Sequence, residues 1–272
     1  MRKALILIYG VVCYAVFFVT FLYAIGFVAN VPLPTTVDRP LSPAAGTMGD
    51  WIIDIALLGL FAVQHSGMAR RGFKAWLTRW ISPAIERSTY VLLTSAALIL
   101  LFWQWRPLPG RIWQVSDERA WWALYALSAF GWLVVLSGTF IINHFDLFGL
   151  RQVWLRVRGI AYTPPQFVDS FYYRVVRHPL MLGFLIAFWA TPVMTLGHLL
   201  FALATTGYVL IAVRFLEERD LIATHGNDYL EYRRRVPMIC PWPRPAQRPN
   251  REVAPSRGDG RPIVGTEAQD PR

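Results

Sequence analysis

Long uninterrupted apolar runs, rather than short alternations of apolar and polar residues, organise this chain. Residues 4–29 contain no charged side chain. A helix needs roughly 20 residues to cross a hydrocarbon core about 30 Å thick, so this run predicts a membrane span. Arg2 and Lys3 precede it as they would in a signal peptide. The run exceeds the ~7–15 residues of a secretory h-region, however, and no clear A-x-A site follows, so it is expected to be a retained anchor. Further apolar stretches predict helices over residues 51–65, 89–103, 121–142, 179–196 and 199–216, six in all. The last two form one stretch of 38 residues, about 57 Å as a straight helix. Pro192 and Gly197 fall where it must turn, and a helical hairpin is expected there.

Composition agrees with a lipid environment. Of the 272 residues 55% are hydrophobic and 16% charged, and mean hydropathy is +0.37; soluble domains carry about 25% charged residues. The net charge of +10 raises the possibility of nucleic acid. Lys3 and Lys74 are the only lysines, however, and the arginines are scattered between apolar runs, which suits basic flanks of membrane helices. No nucleic-acid partner is expected. With the N-terminus inside, the inner segments hold Arg2 and Lys3, then Arg70, Arg71, Lys74, Arg79 and Arg87, then Arg151, Arg156, Arg158, Arg174 and Arg177. The outer loops hold Arg39, then Arg106, Arg111 and Arg119. The expected fold is therefore all-α: a polytopic transmembrane helical bundle of about 5–6 spans, in contact with the lipid bilayer and placed in the inner (cytoplasmic) membrane of a bacterium. Residues 1–240 are read as one membrane domain. Residues 241–272, rich in Pro, Arg and Gly, are read as a disordered cytoplasmic tail.

This topology sorts the histidines: His65, His144, His178 and His225 fall on the inner edge, and His198 on the other. Pro179 suits the first turn of a helix. The free backbone donors of that helix should then face the inner edge beside Arg177 and His178, a site suited to a carboxylate. The hairpin returns Glu217 and Glu218 to the same edge, where they can accept from hydroxyls or an amine. Tyr229, Tyr232 and Val236 recur at helical spacing, so a short interfacial helix after Gly226 is expected to turn aromatic rings toward the site. Taken singly, each of these residues also suits an ordinary interfacial charge or an aromatic belt. Asp50 and Asp54, one turn apart at the other end, are read as structural. Cys13 and Cys240 offer neither a metal spacing nor a disulfide framework, and no metal site is expected.

Arg177, His178, Pro179 and Gly183, then Glu217, Glu218 and Leu221, then Gly226, Tyr229, Tyr232, Val236 and Pro237 follow the pattern R-H-P-x-x-x-G, E-E-x-x-L and G-x-x-Y-x-x-Y-x-x-x-V-P. Over residues 170–240 the chain thereby resembles the isoprenylcysteine carboxyl methyltransferase-like, NnrU-related group of membrane methyltransferases. It departs at Met181, where that group often has tyrosine. Upstream, the segment N-H-F-D-L-F-G-L-R-Q-V-W, residues 143–154, resembles the stretch that marks the branch acting on methanethiol. The resemblance implies transfer of methyl from S-adenosyl-L-methionine to a small thiol. The cofactor would lie among Tyr173, Arg177, His178, Pro179, Gly183, Glu217, Glu218, Tyr229 and Tyr232, with the C-terminal hairpin and interfacial helix forming its site. Asn143 and Asp146 would stand near the substrate, and His144 would deprotonate the thiol or Arg233 would stabilise the thiolate. The same core would also serve a prenylcysteine carboxylate or a phospholipid amine as acceptor. A non-catalytic membrane protein related to nitrogen-oxide respiration is the alternative of another class.

Overall fold

The computed structural model describes residues 2–241 apart from 41, 43, 166 and 168. Of the tail expected to be disordered, all but Pro241 lies outside the described residues. Helices α1 (Arg2–Ala29), α2 (Met48–Ala69), α3 (Arg71–Leu77) and α4 (Pro83–Gln104) come first, followed by a short strand β1 (Arg111–Gln114). Then follow α5 (Glu118–Ile142), α6 (His144–Leu147), α7 (Leu150–Arg158) and a 3-10 turn at Phe171–Arg174. The chain finishes with α8 (Pro179–Trp189), strand β2 (Val193–Thr195), α9 (Leu196–Ala212), a π turn (Val213–Glu217) and α10 (Glu218–Arg235).

The spans run beyond their apolar stretches because capping residues sit outside them. Thr47 and Asp50 form a capping box at the start of α2, Ser82 caps α4 with Pro83 in its first turn, and Asp117 caps α5. Each such cap satisfies an otherwise orphaned backbone donor. Five helical segments are long and apolar enough to cross a membrane. Their outward faces carry exposed Leu5, Val12, Val19, Val63 and Leu133, side chains that only lipid would solvate well. The protein is an integral membrane protein.

The fifth expected span, residues 179–196, is shorter than its apolar run. Helix α8 has 11 residues, about 16 Å, instead of the 18 expected. Pro192 lacks a donor and disfavours helical backbone at the preceding residue. The chain therefore turns extended, and β2 pairs antiparallel with β1, placing Arg111 opposite Thr195 and Gln114 opposite Val193. The hairpin turn was expected; the two-stranded pairing was not. Likewise, α10 begins at Glu218 rather than after Gly226, with Gly226 (φ 57°) interrupting it.

Small residues let α5 and α8 approach closely, as helices do in lipid. A Cβ on Gly131 would lie 2.6 Å from the Gly183 carbonyl, and one on Gly183 would lie 2.7 Å from the Gly131 carbonyl. The Ser128 hydroxyl donates to the Ala187 carbonyl at 2.9 Å. Further on, Gly138 faces Leu180. The end of α5 is thus level with the start of α8.

The bundle has two distinct ends. At the strand end an aromatic core of Phe27, Phe102, Trp105, Trp132, Phe188 and Phe201 is sealed by the strands and by the loop after α1. Asp54 accepts the Arg106 backbone N–H there at 2.9 Å, consistent with a structural role. At the opposite, mouth end the last turns of α2, α5 and α9 meet the first turns of α4, α8 and α10. Arg70 there pairs with Asp220 at 3.3 Å.

Candidate functional site

The hairpin places the start of α8 against the junction of α9 and α10. The Arg177 Nη2 lies 2.7 Å from Glu218 Oε1, both side chains being almost wholly buried. Arg233 Nε approaches Glu218 Oε2 at 3.2 Å, and the Arg177 Nη1 donates to the Arg233 carbonyl at 3.0 Å. His178 bridges the two carboxylates, with Nδ1 3.5 Å from Glu217 Oε2 and Nε2 3.5 Å from Glu218 Oε1. Donors and acceptors that the chain pattern distributed between two ligand groups are thus in direct contact with each other.

The chain end after α10 closes the site from below. The Arg177 and His178 backbone N–H groups donate to the carbonyls of Pro237 and Met238 at 2.9 and 3.1 Å. Pro179 opens α8, and Leu182 N–H bonds the His178 carbonyl. The N–H groups of Leu180 and Met181 therefore have no partner inside the helix. Tyr229 and Tyr232 are buried. The Tyr232 hydroxyl donates to the Tyr173 carbonyl at 2.6 Å, and Phe167 packs edge-on against both rings at 6.0 and 5.1 Å. Phe167 lies in a loop without periodicity, so nothing in the pattern pointed to it. Gly183, by contrast, is spent on the close crossing with Gly131.

Electrostatics follow from this crowding. Burial works against protonation of His178, but its contacts with Glu217 and Glu218 outweigh it and push the pKa up to about 9. Burial raises the Tyr173 hydroxyl, with Glu217 adding to the effect. The Tyr173 and Tyr229 hydroxyls are both buried without a hydrogen-bond partner among the described residues. Buried orphan hydroxyls are costly unless a ligand completes them.

The residues expected near the substrate lie level with this cluster, at the end of α5. Asn143 caps α6 by accepting from the Asp146 N–H at 3.1 Å. Asp146 holds Arg151 at 2.8 Å and accepts from the Tyr162 hydroxyl at 3.2 Å, tying α6 to α7 and the loop beyond. His144 is enclosed by Phe140, Phe145 and Phe148. The Thr139 hydroxyl donates to the Leu136 carbonyl at 2.6 Å, so it accepts from His144 Nδ1 at 2.8 Å, and Nε2 accepts the Tyr14 hydroxyl at 2.8 Å. Burial lowers the pKa of this imidazole, keeping it neutral near pH 7.

A cluster of opposite charges and two buried hydroxyls without a hydrogen-bond partner among the described residues thus lie together at one end of this polytopic helical membrane protein. The family model described as NnrU protein matches residues 54–238, and the chain belongs to this family. Among curated relatives, a protein named methanethiol S-methyltransferase from Mycobacterium tuberculosis is 56% identical over 243 residues, covering 89% of this chain and 98% of the relative. Methanethiol S-methyltransferase 1 from Bradyrhizobium diazoefficiens is 52% identical, covering 89% and 84%. Nurim from Sus scrofa is 33% identical over 178 residues, covering 62% of this chain and 66% of its own. No solved structure matches the chain.

Proposed function

We propose that the protein transfers the methyl group of S-adenosyl-L-methionine to methanethiol, giving dimethyl sulfide, at the mouth end of the bundle. The observation that carries this reading is the buried Arg177–Glu218–His178 cluster, bordered by half-exposed Glu217, with the Tyr173 and Tyr229 hydroxyls, unpartnered among the described residues, beside it. Its mixed charges suit a zwitterionic amino-acid ligand with ribose hydroxyls. The high identity to relatives named for this activity supports the choice of acceptor.

When bound, S-adenosylmethionine supplies an electrophilic methyl on a sulfonium. Arg177 and His178, both cationic here, would hold its carboxylate together with the open N–H groups of Leu180 and Met181. Glu217 and Glu218 would accept from its amine and hydroxyls, and Tyr229 and Tyr232 would wall the aromatic ring. Pro179 presets the helix start, and Gly183 lets α8 seat against α5. Arg233, on the rim of Glu218, would bias the site toward a thiolate. Methyl transfer between opposite charges gains from a dry, aligned pocket more than from added binding contacts.

The basic residues Arg70, Arg71, Lys74, Arg79 and Arg87 and the exposed Trp76, Trp80 and Trp154 all sit at the mouth end. Charge asymmetry of this sign supports a cytoplasmic site in a bacterial inner membrane. The test offers purified protein labelled S-adenosylmethionine with methanethiol, longer thiols, a prenylcysteine and phospholipid amines under one detergent condition. Methylation of methanethiol with the highest kcat/KM is expected. A preference for the prenylcysteine or the phospholipid would overturn the acceptor, and no transfer to any of them would overturn the enzymatic reading.

A further inference from the structure

The charged cluster at the mouth end depends on a kink in α10. From Glu218 to Arg233 a straight helix would run about 22 Å at 1.5 Å per residue, more than the two side chains together can span. Arg233 Nε nevertheless lies 3.2 Å from Glu218 Oε2. The helix is broken at Gly226, whose backbone (φ 57°, ψ −129°) favours glycine. A Cβ at this position would meet no atom within 4 Å. The glycine therefore permits the kink, and side chains packed across it must set its angle.

Phe167 lies across the break. Its ring is 5.1 Å from that of His225, just before Gly226, and stands edge-on to Tyr229 and Tyr232 beyond it at 6.0 and 5.1 Å. Leu221 and Ile222 from the first half of α10 join the same apolar cluster. The loop that carries Phe167 is clamped a few residues upstream. Both carboxylate oxygens of buried Asp146 are engaged, Oδ1 with Arg151 at 2.8 Å and Oδ2 with the Tyr162 hydroxyl at 3.2 Å. Arg151 in turn grips Thr163, Nη1 donating to its carbonyl at 2.8 Å and Nη2 to its hydroxyl at 3.0 Å. Pro164 and Pro165 follow. Their rings fix φ, the residue before a proline is restricted as well, and consecutive prolines act as a semi-rigid spacer. The position of α6 is thus carried along a stiff arm toward Phe167.

We infer that Phe167, held by the Asp146–Arg151 clamp, is a positioning residue that sets the kink of α10 at which Glu218, Arg233, Tyr229 and Tyr232 converge. The inference rests on the cofactor reading proposed above. Phe167 acts through the two tyrosines: its edge-on contacts fix the planes of the rings proposed to wall the cofactor, and the kink they stabilise returns Arg233 to Glu218. Asp146, expected beside the substrate, serves the site at a distance through this arm.

The experiment measures calorimetric affinity for S-adenosylhomocysteine in the full-length protein in detergent. Wild type is compared with Phe167→Leu, Phe167→Tyr, Arg151→Lys and the double variant Phe167→Leu/Arg151→Lys. Phe167→Leu keeps an apolar side chain, so the chain should fold. Affinity falls with the fraction of molecules that hold the binding arrangement, and loss of two edge-on ring contacts should weaken it on the order of fivefold. Phe167→Tyr keeps the ring and should bind like wild type. Arg151→Lys keeps a charge opposite Asp146 but has no planar fork to reach both acceptors of Thr163. It should weaken binding severalfold in the wild-type background and no further in Phe167→Leu, because its effect passes through Phe167. A purely structural role would lower the melting temperature of the variants and leave these affinities unmoved. Wild-type affinity in both Phe167→Leu and Arg151→Lys, equal losses in Phe167→Tyr and Phe167→Leu, or additive losses in the double variant would overturn the inference. Failure of wild type itself to bind S-adenosylhomocysteine would overturn the cofactor reading, and the inference with it.

Discussion

The two ends of the bundle use the same kinds of residue to opposite purposes. At the strand end Asp38 accepts from Asn30 at 2.6 Å and from the Thr195 hydroxyl, while Thr36 donates to Asn30 at 2.8 Å. His198, 3.9 Å from Asp38, is bonded through Nε2 to the Phe188 carbonyl at 2.9 Å. Short uncharged partners and backbone groups from α9, α8 and the loop after α1 thus consume most of the polar capacity, and the result is a latch. At the mouth end long charged side chains meet each other, two tyrosine hydroxyls remain unsatisfied, and a carboxylate stays half exposed. Burial and charge alone therefore do not mark a site. Nor does unfilled polar capacity alone, since Asp54 Oδ2 and His198 Nδ1 at the strand end are also buried without a hydrogen-bond partner among the described residues. What sets the mouth end apart is that such atoms there stand beside paired charges and a half-exposed carboxylate.

Removing a charge from each end should separate them. Arg177→Ala removes the nearest of three cationic partners of buried Glu218, leaving Arg233 and His178; the loss should reach at most about 3–5 kcal/mol, the range for a broken buried pair, and S-adenosylhomocysteine binding should be abolished. Asp38→Asn should cost about 1.5–3 kcal/mol for lost charged hydrogen bonds and leave binding intact. Thermal unfolding in detergent with parallel calorimetry reads both. Loss of binding in Asp38→Asn with unchanged binding in Arg177→Ala would invert the comparison.

The pH dependence of stability isolates His178. Its pKa is raised above the ordinary imidazole value to about 9, so its contribution is complete below about pH 6.5 and is lost as pH rises through about 9. Wild type should therefore melt at lower temperature at pH 9.5 than at pH 6.5, and His178→Gln should flatten that slope. A slope that survives in His178→Gln would assign it to other groups.

The smallest effect is also the most discriminating. Tyr229→Phe removes a buried hydroxyl without a partner among the described residues, so stability should stay level or rise slightly. Affinity for S-adenosylhomocysteine should fall by about 0.5–1.5 kcal/mol, the worth of one neutral hydrogen bond. Calorimetry and unfolding on the same sample decide it; a loss of stability with unchanged affinity would make Tyr229 part of a latch like the one at Asp38.

Much of this molecule is written in its order of residues. Apolar runs set the spans because length and hydropathy alone meet the demands of lipid, and Arg177, His178, Glu217 and Glu218 could be placed at one edge by counting helical residues between them. The turn at Pro192 was legible for the same local reason. Contacts between distant segments were not. That Arg177 grips Glu218 directly, that β1 pairs with β2 and shortens α8, and that Gly183 serves a helix crossing all depend on which faces of separate helices come together. Hydrophobic periodicity in lipid is weak on that point, since both the lipid side and the packed side of a span are apolar. Only tertiary packing distinguishes them, and it does so through small residues such as Gly131 and through polar side chains that must find partners inside the bundle.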